Sequence, residues 1–384
     1  MTRVLRATQV WNLTTQLGGV TLTSLPDVVR PLMAYGFRSY AKGMKNTVGS
    51  FFKGSAVRSA SKQEINRFGV ALERVRNQRG MDIADVSMEG AGVVARKAGY
   101  LWGRLSLFNA WTDTMEALTT HVAVDWTLRQ ATEMAAGKAL PRAAIARLSR
   151  MGLDADTLGR MLTETRRADA PSDGLLASNT MSWADGQLAK DFEGAIGSDV
   201  RRAIVRIGVG DRPAFMDDVT WQWLTQYMSF AMAATNRMLV AGVQQRDGAM
   251  LAGLLSSVAL GAGVRGTKGW LRGDDPGEWS SSKWMLEGID GSGMAGIWNP
   301  AFRFMQMGMG DTPSRYLQRD VESLVPLAGP TVGNIGNLAR AGAQAYKGNL
   351  GFEDKGAAEY LSRATPFLSN TLHIRQLLLR AAED

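Results

Sequence analysis

Residues Ala249–Val264 run for 16 positions without a charged side chain. Any fold must bury this segment or hand it to an apolar solvent, because leaving it in water forfeits the main driving force for folding. A transmembrane helix needs about 20 apolar residues to cross a ~30 Å hydrocarbon core. Sixteen residues at ~1.5 Å each reach only about 24 Å. Arg246 and Asp247 stop the run upstream, and Arg265 and Lys268 stop it downstream. Length alone therefore favours a buried helix or a re-entrant hairpin. Within the run, Ala249, Gly253, Ser257 and Gly261 recur every four residues, with Leu254, Leu255 and Val258 among them. Four small side chains on one helical face let another backbone approach closely. That backbone belongs to the same chain, to a second subunit or to a helix in a bilayer. Trp270, Trp279 and Trp284 follow, and suit either a membrane-interface belt or a core.

The rest of the chain reads as all-α, an elongated multi-helix assembly with a long central helix and a loop-rich, Gly/Trp/Met-rich C-terminal third. Ser61-x-x-Glu64 is a capping box, and Ile65, Phe68, Leu72 and Val75 continue it at helical spacing to Arg79-Gly80. Gly92–Ala136 is the longest periodic segment. Leu101, Leu105, Phe108, Met115, Leu118 and Val122 recur at helical intervals, which predicts a spine or a helix pair kinked near Gly103. Pro141 suits a first helical turn and Gly152 a helix end, and Asp154 or Asp156 can cap a helix to Arg167. A further helix is expected over about Met181–Arg206. Lys42–Ser61 is small, basic and polar, which predicts a flexible or partner-ordered loop. Arg272–Pro330 is expected to be loop-rich, and two short helices, Asn334–Tyr346 and about Leu368–Ala382, to close the chain. These readings divide the sequence at 1–90, 91–246 and 247–384. The first 17 residues lack the unbroken apolar core of a secretory signal.

Charge separates the chain more sharply than hydropathy does. Residues 1–110 carry 16 Lys and Arg against 6 Asp and Glu, a net +10, while residues 111–384 carry 28 against 30, a net −2. The basic excess thus lies in the first third. Arg38, Lys42, Lys45, Lys53, Arg58, Arg74, Arg76 and Arg79 are its candidate contacts to an anionic partner, either DNA or lipid. A solvated basic face is the plainer alternative.

Several chemistries are excluded or weakened. The chain has no cysteine and only two histidines, His121 and His373, so thiolate metal sites and cysteine nucleophiles are ruled out. Gly291-Ser292-Gly293-Met294-Ala295-Gly296 matches GxGxxG, but Pro300 follows at once and no strand–helix–strand pattern surrounds it. Asp217-Asp218 and Asp274-Asp275 read as caps or solvated loop residues. His121, between Thr119-Thr120 and Val122, reads as a packed histidine. No cofactor or metal is expected.

An ordered set of strings carries a family resemblance. Leu17-Gly-Gly-Val-Thr-Leu-Thr-Ser-Leu-Pro-Asp27 is followed by Phe108-Asn-Ala-Trp-Thr-Asp113 and Gln226-Tyr-Met-Ser-Phe-Ala-Met-Ala-Ala-Thr-Asn-Arg237. The glycine-rich apolar segment comes next, then Met285–Ile297, Leu327-Ala-Gly-Pro-Thr-Val-Gly333 and Pro366-Phe-Leu-Ser-Asn-Thr-Leu-His-Ile-Arg375. In this order they resemble the C-terminal region of the large internal virion proteins, or ejection proteins, of tailed bacteriophages. The enzymatic modules found at the N-terminus of long members have no counterpart. The resemblance implies a non-enzymatic protein held in the virion interior near the portal and expelled with the genome into the host periplasm and inner membrane. Its implied partners are copies of itself, other ejection proteins, the portal and genomic DNA bound without sequence preference. Two alternatives remain: a DNA-packing or portal-docking protein that never meets a bilayer, and a peptidoglycan-cleaving enzyme using Glu322.

Overall fold

The computed structural model describes residues 2–16, 24–52, 67–68, 97–98, 101–102, 107–168, 178–204, 248–270, 275–292, 329–352 and 356–366. Among them every regular element is helical. In chain order these are α1 (Thr2–Gln16), a 3₁₀ turn (Leu25–Val29), α2 (Arg30–Tyr35), α3 (Phe37–Phe52), α4 (Phe108–Ala135), α5 (Arg142–Arg150) and α6 (Ala155–Arg167). A 3₁₀ turn (Thr180–Ser182) leads to α7 (Gly186–Ala203) and then α8 (Gly248–Trp270). A last 3₁₀ turn (Pro276–Glu278) precedes α9 (Ser281–Gly291), α10 (Gly329–Tyr346) and α11 (Ala357–Ala364).

Helix α4 has 28 residues and is about 42 Å long. It starts after Leu107, whose φ of 57° lies in the left-handed region, so the expected helix from 92 onward is interrupted before Phe108. Met115, Leu118 and Val122 are buried, as their spacing predicts, while Leu101 is exposed. They meet Leu148, Met151 and Leu153 of the α5 region, Leu158, Met161 and Leu162 of α6, and Phe192, Ile196 and Val200 of α7 in one core. Polar side chains are buried on α4 as well. The hydroxyls of Thr119, Thr120 and Thr127 donate to the carbonyls of Met115, Glu116 and Ala123 at 2.7–2.9 Å. Each helix turn thereby satisfies its own threonine, which removes most of the cost of burying a hydroxyl.

Sequence punctuation is borne out around α5–α6. Pro141 precedes α5, Gly152 turns the chain at φ +74°, and the Asp154 carboxylate caps α6 by accepting from the Thr157 amide at 2.8 Å. Hydrogen bonds from the Thr157 hydroxyl and then its amide hold the Asp154 carboxyl below its usual pKa. Helix α7 starts at Gly186, after Met181, because Asp185 caps it through the amides of Gln187 and Leu188.

The structure adjusts three expectations. The loop predicted from Lys42 is helical as far as Phe52. Ser39, Gly43 and Thr47 are buried at four-residue intervals, and Gly43 lies so close to α4 that a Cβ there would overlap the Val122 side chain. The small, polar composition that suggests a loop is a close-packing face. The second adjustment concerns 272–330, expected to be loop-rich, whose described part holds the helix α9. Within it Ser280 accepts from the Lys283 amide at 3.2 Å and caps α9. Finally, α10 begins at Gly329, five residues before Asn334, and α11 forms where the sequence predicts no helix. The capping-box helix, apart from Arg67 and Phe68, and the closing helix near 368–382 lie outside the described residues.

Two polar clusters join distant parts of the sequence. Arg147 of α5 donates from Nε to Asp199 Oδ2 at 2.9 Å and from Nη1 to the Ala34 carbonyl, with its guanidinium 4.0 Å from the Tyr35 ring centre. The Tyr35 hydroxyl donates to the same Asp199 oxygen at 2.9 Å, and burial holds its pKa far above the ordinary value. At the other cluster, Asn12 of α1 donates to Thr331 at 2.7 Å. Asn334 donates to Asn12 and Thr15, and the Trp11 indole to the Ala364 carbonyl at 2.9 Å. The N-terminal helix is thereby fastened to α10 and α11.

Candidate functional site

Helix α8 runs past the expected limit at Val264 to Trp270, so the apolar segment and its two downstream cations form one helix. It continues because the cations are accommodated. Arg265 pairs with Asp290 of α9 and lies 3.8 Å from Glu287, and Lys268 is buried. Within the 21 residues Met250–Trp270 an 18-residue window reaches a mean hydropathy of 1.2, long and apolar enough to cross a membrane by length and composition alone.

The face of small residues is used inside the chain. Gly253 lies against the Met33 side chain of α2, and a Cβ there would overlap it. Ser257 is fully buried. A Cβ on Gly261 would strike the Gly288 carbonyl and come within 2.5 Å of the Ser292 nitrogen. Glycines on α9 answer in kind: Gly288 faces Val258, and Gly291 faces Gly261 and Arg265. Gly266, absent from the four-residue pattern, sits beneath the Trp284 ring. Helices α8 and α9 therefore form an antiparallel hairpin at close backbone distance. Ala249 lies in the first turn of α8, Leu254 packs beside Met33 and Met250, and Val258 is half-buried.

Among the described residues nothing covers the opposite face. Leu251 is 60% exposed, Leu255 64% and Trp270 62%, with Ala252, Ala259, Leu260 and Gly263 exposed between them. None of these is charged. At the α9 end, Trp279 and Trp284 pack with ring centres 5.0 Å apart, Lys283 Nζ lies 4.8 Å from the Trp279 ring, and Met285 is exposed. Of this face the sequence points to Leu255 and to the flanking Trp270, Trp279 and Trp284. Four-residue spacing points to the small residues, and nothing in a single sequence says which face a neighbouring helix covers.

The basic candidates divide. Arg38, Lys42 and Lys45 lie at helical spacing on α3, away from its buried Ser39–Gly43–Thr47 face. Arg38 and Lys45 are exposed, whereas the Lys42 ammonium pairs with Asp125 of α4. Lys53, Arg58, Arg74, Arg76 and Arg79 lie outside the described residues. Arg67 belongs to the same basic third but is committed to Glu193 at 3.0 Å.

Other candidate chemistry is accounted for structurally. His121 is buried on α4, and desolvation lowers its pKa to about 4, so it is neutral at pH 7. Asp275 caps its own turn through the Gly277 amide at 2.8 Å. Gly291-Ser292 ends α9, so the glycine string begins at a helix C-terminus, opposite in polarity to a phosphate-binding N-terminus. Glu322, Asp217, Asp218 and Asp274 lie outside the described residues. Among the described residues no cluster of three or more His, Asp or Glu could hold a metal ion. An open groove of about 550 Å³ between α6 and α7 is lined by Asp156, Arg160, Glu164, Arg167 and Asp185. Its cations are spent within it, Arg160 on Asp185 at 2.7 Å and Arg167 on Glu164 at 3.4 Å.

Comparison of the chain with protein-family models, with curated proteins and with solved structures returns no match.

Proposed function

We propose that this chain is a non-enzymatic internal virion protein of a tailed bacteriophage. It is packaged near the portal with other ejection proteins, expelled with the genome, and assembled as copies of itself into a conduit across the host periplasm and inner membrane. The observation that carries the reading is α8. It is a 21-residue apolar stretch whose cations are neutralised or covered on one side and whose other side is an uncharged leucine face. The ordered strings from Leu17 to Arg375 supply the phage context. In this reading the molecule is elongated in its assembled form, with α4 as its central helix. The exposed Arg38 and Lys45 supply non-specific contacts to the genomic DNA backbone.

The test is mass spectrometry of purified virions before and after ejection, together with the oligomeric state of the purified chain with and without liposomes. Presence in full virions, loss on ejection and lipid-dependent oligomers are expected. A protein absent from virions and monomeric in both conditions refutes the proposal. A zymogram addresses the enzymatic alternative: clearing that disappears in Glu322→Gln would replace this reading with peptidoglycan cleavage.

A further inference from the structure

The outer face of α8 has a definite occupant. We infer that it docks in the plane of a lipid bilayer, at the boundary between headgroups and acyl chains, so that α8 lies on the membrane rather than crossing it. The inference deepens the proposed function by fixing how the chain meets lipid, and rests on that reading only for the identity of the membrane.

Three observations carry it. First, α8 is covered along one whole side, near its start by Met33 and further on by α9 through Gly261, Gly288 and Gly291. A helix with protein along one side and leucines along the other is built for an interface, where one face meets acyl chains and the other does not. Second, no charge stands on the exposed arc of Leu251, Ala252, Leu255, Ala259, Gly263 and Trp270, while Arg265 is turned to Asp290 and Glu287. Third, the hairpin end places Trp270 and the Trp279–Trp284 pair with Lys283 and the exposed Met285. Tryptophan and lysine are side chains that settle at headgroup level.

A second copy of the chain fits this face less well. The exposed arc offers on the order of 500 Å² by its fractional exposures, short of the ~800 Å² per partner in a stable interface.

The absence of cysteine makes the test direct, because each introduced thiol is unique. The full chain is labelled with an environment-sensitive fluorophore at Leu251→Cys, Leu255→Cys, Ala259→Cys or Trp270→Cys, one at a time. It is then mixed with vesicles of equimolar phosphatidylcholine and phosphatidylglycerol, and with phosphatidylcholine alone. Depth is read by quenchers placed at different positions along the acyl chain. In-plane docking gives all four labels similar shallow depths, within about 5–10 Å of the headgroup–acyl boundary. A depth that rises to a maximum at Ala259 and falls towards both ends means a spanning helix and overturns the inference. Labels shielded equally without lipid, with dimers in sedimentation, assign the face to a second copy and also overturn it. Flotation supplies the energetic arm. Leu251→Asp/Leu255→Asp is expected to lower vesicle partition at least tenfold and Leu251→Ala/Leu255→Ala by less, with unchanged circular dichroism. If binding persists in a folded double-Asp variant, the face is not the docking surface. If the native chain fails to bind vesicles yet is found in virions, this inference falls while the proposed function stands.

Discussion

Arg147→Met tests most directly whether the buried ionic node holds α2, α5 and α7 together. Native Arg147 contributes two bonds to Asp199, from Nε at 2.9 Å and Nη2 at 2.8 Å, and a third to the Ala34 carbonyl. Its guanidinium also lies over Tyr35 at 4.0 Å and near Trp126 at 5.4 Å. Both partners are largely removed from water, with side-chain exposures of 12% and 7%. Methionine keeps most of the arginine stem volume and its apolar packing. What it removes is the charge that compensates Asp199, which is left in the core with the Tyr35 hydroxyl as its remaining donor in the node. Breaking such a pair from one side costs about 3–5 kcal/mol, because the stranded ion keeps its desolvation penalty. Replacing both partners removes the penalty together with the attraction. Arg147→Met/Asp199→Leu should therefore be more stable than the sum of the single losses implies, by about 2 kcal/mol. The assay is urea unfolding of the four members of the cycle, followed by far-UV circular dichroism and tryptophan fluorescence. A cost below about 1 kcal/mol for Arg147→Met, with additive effects, would refute the buried-pair reasoning.

Three further outcomes are expected. Burial lowers the His121 pKa to about 4, against about 6.5 in an unfolded chain, so the unfolded state binds the extra proton first as pH falls. The stability is complete above about pH 6.5 and declines towards pH 4 by up to about 3 kcal/mol; His121→Gln should flatten that slope in unfolding measured across the window, and an unchanged slope would assign it to other groups. Gly261→Ala should destabilise the chain by about 1–3 kcal/mol and more than Gly253→Ala, since the first drives a methyl into backbone and the second into a methionine that can move; equal melting temperatures would contradict the close hairpin. Arg38→Glu/Lys45→Glu should weaken DNA binding and reduce its salt dependence by roughly two counterions, while Lys42→Ala, already paired with Asp125, should alter it little; equal effects in a titration over salt concentration would count against the division.

The all-helical character, the caps around α5 and α6, and the apolar faces of α4 follow from local chemistry. Proline, glycine and aspartate act on the nearest turn, and a spacing of three or four residues is a property of the helix itself. The limits of α3 and α8 are of another kind. The Ser39–Gly43–Thr47 face looks like loop until Val122 fills it, and Arg265 looks like a stop until Asp290 and Glu287 neutralise it. Each depends on a partner distant in sequence, which no local window contains. The same holds for the apolar segment. Its amino acids alone require that Ala249–Val264 leave water, and the four-residue spacing marks one face for close contact. Only the tertiary structure assigns that face to Met33 and to α9, leaving Leu251, Leu255 and Trp270 outside. Periodicity specifies that a helix has two sides; which side is covered depends on what the rest of the chain brings against it.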